Sequence, residues 1–325
     1  MKAEILAALR EAEGYVSGQE LCETFGVSRT AIWKSINQLK KDGYDIEAVQ
    51  NKGYRIISSP DIMSENELVS IRKTKWVGNS IHYYDVTDST NMCANRLAQE
   101  GAPHGTLIVA DQQESGRGRR GRGWNSPANT GIFMTLLLRP EIETNNASML
   151  TLVAAMAVAK GMEQCMDAKP QIKWPNDIVI NGKKVCGILT EMSAQIDYVN
   201  HIVIGIGINV HNTEFSEEIA QTATSLYLET GVHVKRAHLI EAIWEAFEDY
   251  YERFMEHKDL SAIVEEYNSY LVNLDRAVRV LDPKEPFEGI ARGITERGEL
   301  LVETDGVLKK VSSGEVSVRG IYGYV

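Results

Sequence analysis

Gly116-Arg117-Gly118-Arg119-Arg120-Gly121-Arg122-Gly123-Trp124 follows an apolar strand candidate, Thr106–Ala110. It contains the spacing G-x-G-x-x-G. In a dinucleotide-binding fold that spacing turns a strand into a helix whose N-terminus holds the pyrophosphate. The residues that come next, Asn125-Ser126-Pro127-Ala128-Asn129-Thr130-Gly131, cannot open a long helix. A Rossmann fold is therefore excluded. What remains is a loop with four arginines in nine residues. Like charges so close repel unless anions neutralise them, and a guanidinium matches carboxylate and phosphate geometry. The glycines allow close backbone approach to a ligand. Taken alone, the run also fits a solvated loop or an RGG-like patch for RNA.

Downstream, Lys173-Trp174-Pro175-Asn176-Asp177 leads into a strand candidate, Ile178–Ile180. Pro175 blocks a helix, so a cation, an amide and a carboxylate meet at a strand mouth. Lys173 suits a phosphate and Asp177 suits Mg²⁺. Asn181-Gly182-Lys183-Lys184 is expected to turn between two apolar strands, as a solvated tip or with one lysine over an anion. Asp88-Ser89-Thr90-Asn91 opens a helix candidate, Thr90–Glu100, stopped by Gly101. Ser89 reads as its N-cap, or these small polar groups bind a neutral polar ligand. Gly205-Ile206-Gly207-Ile208-Asn209 ends a strand, with Asn209 expected to face the same place.

Around these motifs the chain reads as three pieces. From about Asn66 strands and helices alternate, indicating an α/β (α+β) central domain over 66–271. Its further strand candidates are Ile132–Leu138, Val185–Thr190 and Val199–Ile208, and its further helix candidates Ala147–Met166, Ala237–Glu256 and Leu260–Leu271. Residues 272–325 change to short strands broken by glycine, a small β barrel or sandwich.

Residues 1–62 read as a winged helix-turn-helix: helices Lys2–Arg10 and Gly18–Phe25, a Gly26-Val27 turn, a third helix capped by Ser28 and running to about Lys41, then a hairpin over Ile46–Ile57. Between Ser28 and Arg55 six basic residues face three acidic ones, whereas residues 1–60 balance eight against eight. The surplus lies on the third helix and the wing. Ser28, Arg29, Thr30, Trp33, Lys34, Asn37 and Lys52 are the candidate DNA contacts, cations for phosphates and polar groups for base edges. So few phosphate contacts predict weak binding by one copy and a dimer on a two-fold site.

Composition bounds the rest. Of 325 residues 43% are hydrophobic and 24% charged, which excludes a disordered or collagen-like chain. Thirty-four basic against 45 acidic residues, a net charge of −11, excludes a uniformly basic coat for nucleic acid. The acids within MKAEILAALREAEGY are unlike a secretory signal. The longest apolar-rich run, Ala147–Ala159, falls short of the ~20 residues of a bilayer span. A cytoplasmic protein without membrane contact is expected. Cys22, Cys93, Cys165 and Cys186 form no C-x-x-C pair, so reduced thiols rather than a zinc site are expected.

Together, Asp88–Asn91, the 116–124 loop, the 173–177 motif, Lys183-Lys184 and 205–209 resemble biotin–protein ligase. With the winged helix and the C-terminal β piece, the whole chain resembles the bifunctional bacterial type, both ligase and biotin-operon repressor. The resemblance implies a catalytic domain of the biotin/lipoate ligase type and a small SH3-like β-barrel at 272–325. Biotin would be held by Ser89, Thr90, Asn91, Gln113, Arg117, Gly118, Arg119 and Lys184, the lysine beside its carboxylate. ATP would meet Arg119, Arg120, Arg122, Lys173, Asn176, Asn209 and Arg319, the last within Glu315–Arg319. Asp177 would serve Mg²⁺, and Lys184 and Arg119 would be the catalytic pair. The adenine pocket is expected around His211–Ser225. The implied partners are the biotin carboxyl carrier protein of acetyl-CoA carboxylase, operator DNA and a second copy joined through the central sheet on adenylate binding. Two other classes stay in view, a metabolite-sensing repressor without catalysis and a lipoate–protein ligase of related fold.

Overall fold

The computed structural model describes residues 1–195, 198–282, 285–314, 316–321 and 323–325. Contacts group it into two compact units, Met1–Lys73 and Thr74–Val325.

The first unit holds α1 (Lys2–Glu11), α2 (Gly18–Phe25), α3 (Arg29–Lys41), β1 (Asp45–Val49), β2 (Gly53–Ser58) and α4 (Glu65–Ile71). Local chemistry sets its boundaries. Ser17 and Ser28 cap α2 and α3 by accepting the amides of Glu20 and Ala31. Gly26, at φ 64°, ends α2 in the left-handed region. Ile5, Leu6, Leu9, Leu21, Ile32, Ile36 and Leu39 bury the shared face, and Val16 bridges Tyr54 beside the β1–β2 hairpin. Helix α4, absent from the sequence reading, packs on α1. There Arg10 donates to both oxygens of the buried Glu67 (2.7 and 2.8 Å), which also accepts from Tyr44 (2.6 Å).

The second unit is built on β3 (Ser80–Thr87), β4 (Thr106–Gln113), β5 (Gly131–Leu138), β6 (Gln171–Lys173), β7 (Asp177–Ile180), β8 (Lys183–Ala194) and β9 (Val199–Asn209). They form one seven-stranded sheet, ordered β3-β4-β5-β9-β8-β7-β6. Only β3–β4 is parallel and every other pair is antiparallel, so the alternation of elements builds a mixed sheet. Its helices are α5 (Thr90–Gln99), α6 (Met149–Cys165), α7 (Leu226–Thr230), α8 (Arg236–His257) and α9 (Val264–Tyr270). Helix α6 is apolar nearly all round because α8 packs against it as well as the sheet. No helix among the described residues is long and apolar enough to cross a membrane.

Two local expectations are corrected. The 260–271 helix begins only at Val264: Leu260 O closes a turn by accepting from Ile263 N and Val264 N (both 2.9 Å), but Ile263, at φ −129°, is outside the helical range and caps the helix. The expected four-residue turn at Asn181–Lys184 is a two-residue one. Asn181 and Gly182 take φ of 50° and 77°, while Lys183 and Lys184 already lie on β8.

The chain ends in β10 (Ala277–Leu281), β11 (Phe287–Ile294), β12 (Leu300–Thr304), β13 (Val307–Val311) and β14 (Ser317–Gly320). This antiparallel sheet, ordered β13-β12-β11-β10-β14, is compatible with the small barrel expected. Trp174 Nε1 donates to Gly298 O (3.0 Å) and joins it to the central sheet.

Candidate functional site

One cavity of about 340 Å³ opens in the second unit, and chain segments far apart in sequence line it. Its neutral end is made by the start of α5 and the end of β4. Ser89, Thr90 and Asn91 are buried there. Gln113 Oε1 accepts from Thr90 N (2.9 Å), and its Nε2 donates to Ser126 Oγ (2.9 Å). Thr135 Oγ1 lies 2.8 Å from Thr90 Oγ1 and 2.7 Å from Asn91 Oδ1. Asn91 Nδ2 donates to Glu191 (2.8 Å). Ser89 occupies the N-cap position of α5, as expected, but its side chain makes no cap bond, and the residue lines the cavity wall. A methyl group on Gly205 would overlap Asn91 Oδ1, so only glycine lets β9 pass this network.

The arginine loop folds over this end as a hairpin. Trp124 N bonds Gly116 O (2.9 Å), Gly118 N bonds Arg122 O (2.7 Å), and Arg120 and Gly121 turn the tip at φ 59° and 71°. The next regular element is β5, so no helix follows the glycines. Trp124 covers the strands. A Cβ on Gly207 would come within 2.6 Å of its Nε1 and one on Gly187 within 2.9 Å of its ring. Sequence reasoning quoted Trp124 without assigning it a place; the paired bare glycines on neighbouring strands are the signal, and only the register reveals it. Of the four arginines, Arg119 turns inward. It donates to Asn176 Oδ1 (2.8 Å) and to the carbonyls of Ser313 and Gly314 (both 2.7 Å), locking the loop to the segment before β14. Arg117, Arg120 and Arg122 stay exposed at the rim.

The charged end surrounds Asp177. Lys184 Nζ stands 2.6 Å from its Oδ1, and the Tyr324 hydroxyl donates to its Oδ2. Burial alone would raise the Asp177 carboxyl; Lys184, Lys173 and the Tyr324 hydrogen bond outweigh it and hold it below its ordinary value. Lys173 is pushed down to about 8, first by burial and further by Lys184, Arg319 and Arg119, with Asp177 opposing. Asn176 donates to Ile188 O and Asn209 to Thr224 O (both 3.0 Å), which orients both amides. Arg319 lines the same wall; Glu315 lies outside the described residues. Tyr324 was missed, and nothing in the sequence flags it. Within the expected adenine segment, Phe215, Ile219 and Ala223 line the cavity together with the polar Asn212, Glu214, Ser216 and Thr222.

A resident metal finds no cradle here. Asp177 Oδ2 accepts from Tyr324. Its buried Oδ1 makes no hydrogen bond but has the Lys184 ammonium 2.6 Å away, where a cation would have to displace it. No three His, Cys, Asp or Glu side chains among the described residues are grouped for a metal. As arranged, Asp177 does not fit a ready-made ligand.

In the first unit, Ser28, Arg29, Thr30, Trp33 and Lys34 are exposed and Asn37 half-buried along α3 and its cap, away from the core, and Lys52 is exposed at the β1–β2 turn. Trp33 is 58% exposed, unusual for so large an apolar ring. Arg29 is steadied by Gln19 (2.8 Å).

Comparison with known proteins matches three family models: an HTH domain over residues 2–55, the biotin/lipoate A/B protein ligase family over 83–209 and the biotin protein ligase C-terminal domain over 274–319. The bifunctional ligase/repressor BirA of Bacillus subtilis is 43% identical over 306 residues, 94% of each chain. A biotin–[acetyl-CoA-carboxylase] ligase of Paracoccus denitrificans is 34% identical over 246 residues, 72% of this chain and 98% of that one. Among solved structures, the Aquifex aeolicus biotin protein ligase in complex with biotin and ATP superposes with a TM-score of 0.66 at 32% identity, covering 74% of this chain and 99% of that one. The chain belongs to the biotin/lipoate protein ligase family, and it carries in addition the amino-terminal HTH domain that its ligase/repressor relative shares over nearly its whole length.

Proposed function

We propose that this protein activates biotin with ATP to biotinyl-5′-AMP, and transfers the biotinyl group to a lysine of the biotin carboxyl carrier protein of acetyl-CoA carboxylase. Through its winged helix it represses biotin-synthesis genes in response to biotin. The observation that carries the reading is the meeting of Arg119, Lys173 and Lys184 around one cavity whose other end is neutral and hydrogen-bonding.

The chemistry joins two anions. A biotin carboxylate oxygen attacks the α-phosphorus of ATP, the bond to the bridging oxygen of the β-phosphate breaks, and pyrophosphate leaves. No protein nucleophile is needed, only cations that screen the approach and stabilise the charge that builds up. Lys184 and Arg119 are assigned that role. Ser89, Thr90, Asn91 and Gln113 hold the biotin rings, with the Arg117-Gly118-Arg119 stretch above them. Lys173, Asn176, Asn209, Arg120, Arg122 and Arg319 receive the nucleotide. Mg²⁺ arrives on the triphosphate as part of the substrate and neutralises it; a contact at Asp177 requires Lys184 or Tyr324 to yield. The hairpin loop shields the mixed anhydride from water. The acceptor amine then attacks the anhydride carbonyl as its free base, the amide forms and AMP leaves.

The domains are assigned as 1–62 for DNA, 66–271 for catalysis and 272–325 as the small β domain, in a cytoplasmic protein. Adenylate that orders the loop favours a homodimer through the central sheet, the form that binds operator DNA, and the carrier protein competes for that face. Incubation with ATP, a carrier domain and labelled biotin or labelled lipoate tests the activity. Biotin incorporation supports it, and lipoate incorporation alone overturns it. Ultracentrifugation tests the switch, and equal dimerisation with and without biotin plus ATP removes it.

A further inference from the structure

The charged end of the cavity poses a problem that its lysines cannot solve by themselves. One buried carboxylate, Asp177, is attracted to two ammonium groups, Lys173 and Lys184. A contact pair with either weakens the pull of that ammonium on an incoming triphosphate, so the carboxylate has to be kept off the lysine meant for the phosphates. The arrangement is nevertheless definite. The Tyr324 hydroxyl takes Oδ2 of Asp177, Lys184 takes Oδ1 at 2.6 Å, and Lys173 lies over the Tyr324 ring, 4.3 Å from its centroid. Tyr324 is itself held. Val325 packs back against Gly320 and Gly182, positions where a methyl group would collide with it or crowd it, which seats Val325 beside the β7–β8 turn.

We propose that Tyr324 is a positioning residue for the nucleotide half of the site: its hydroxyl commits Asp177 to Lys184, and its ring carries Lys173 with its charge uncancelled. Burial and the adjacent carboxylate push the phenol far above its ordinary range, so it acts as a fixed neutral donor and not as an acid or base. Removing the hydroxyl frees Oδ2, and Asp177 can then close on Lys173. The phosphate cation is lost although none of the charged side chains assigned to the nucleotide has been changed. The biotin end, built from Ser89–Asn91, Gln113 and Thr135, is untouched. The inference rests on the cavity being the nucleotide site of the proposed function.

The test uses the full chain with Tyr324→Phe, which keeps the ring, and Tyr324→Ala, which loses both groups. MgATP and biotin affinities are read separately by calorimetry, with the melting temperature of each variant. The expected result is an MgATP affinity roughly tenfold weaker in Tyr324→Phe, the loss of one hydrogen bond to a charged group. Tyr324→Ala should be at least as weak, and biotin affinity should stay within about twofold for both, a split that a merely structural role does not produce. MgATP affinity unchanged in Tyr324→Phe overturns the proposal. So does tighter MgATP binding by Tyr324→Ala, which would make the ring a plug, and so does a parallel loss of both ligands with the melting temperature. Nucleotide binding is read directly, so the outcome holds whichever acid is activated. Failure of the unmodified protein to bind biotin counts against the proposed function alone.

Discussion

Lys184 and Asp177 form a short ion pair, 2.6 Å apart, in the charged end of the cavity. They are brought together across the β7–β8 hairpin: the register sets Lys184 opposite Val179 and Asp177 opposite Gly187, and the long Lys184 side chain reaches along the ladder to the carboxylate. In the proposed function this ammonium screens the meeting of the carboxylate and the α-phosphate. Lys184→Ala removes that cation and strands a buried carboxylate. The rate of biotin-dependent pyrophosphate release should fall on the order of a hundredfold or more, as for other lost donors to a developing charge. An unchanged rate removes Lys184 from the catalytic pair.

Arg119 has a different job from its neighbours. Its bonds to Asn176, Ser313 and Gly314 hold the loop shut. In Arg119→Gly the adenylate should escape roughly ten- to a hundredfold faster, since charged hydrogen bonds of this kind contribute about 1.5–3 kcal/mol each. The half-life of the bound adenylate, followed by gel filtration, is the measurement; equal half-lives refute the latch.

Lys173 sets a pH dependence. With its value lowered to about 8 it is charged at pH 7 and loses its proton as pH rises through 8. The kcat/KM for ATP, which reports the free enzyme, should therefore decline on the alkaline side with a midpoint near 8. Phosphate beside the lysine raises it again, so kcat should hold to higher pH. A kcat/KM that is flat from pH 7 to about 9.5, short of an ordinary lysine's range, would falsify the role.

Gly205→Ala puts a methyl group into Asn91 Oδ1. Displacing Asn91 disturbs Thr135 and Glu191 with it. Biotin affinity should drop roughly tenfold or more, one lost polar contact with an unsatisfied partner, while MgATP affinity is spared. Paired titrations decide it.

In the first unit, Glu67→Ala leaves Arg10 and Tyr44 without their shared acceptor. Breaking a buried pair on one side costs about 3 kcal/mol, less if water reaches the partly exposed Arg10. Urea unfolding of residues 1–73 should show it as a lower midpoint with an unchanged slope.

The motifs readable in the sequence were those whose chemistry is contiguous. The arginine loop and Lys173–Asp177 announce themselves by packing charge and chain-stiffening residues into a few positions, and the fold brings both to one cavity. The Ser28 cap and the Gly26 turn were likewise readable from local chemistry, and the structure shows both, while the Ser17 cap of α2 was not read. What stayed hidden depends on distant partners. β3 is a polar, half-exposed edge strand that exists through its parallel pairing with β4. β6 has three residues and borrows its order from β7. The antiparallel sense of the sheet is invisible in alternating elements, because strand direction is set by crossovers and not by composition. Trp124 becomes a wall only because Gly187 and Gly207 fall side by side, and Tyr324 matters only because β14 delivers it to Asp177.

Arg119 reaches across 194 and 195 positions of chain to the carbonyls that fasten it. The small terminal sheet is therefore no detachable ornament. Exchanging it for an unrelated module of equal size would preserve every side chain of the central sheet yet leave the enzyme leaky. Selection on the loop and selection on the stretch before β14 are bound to act as one.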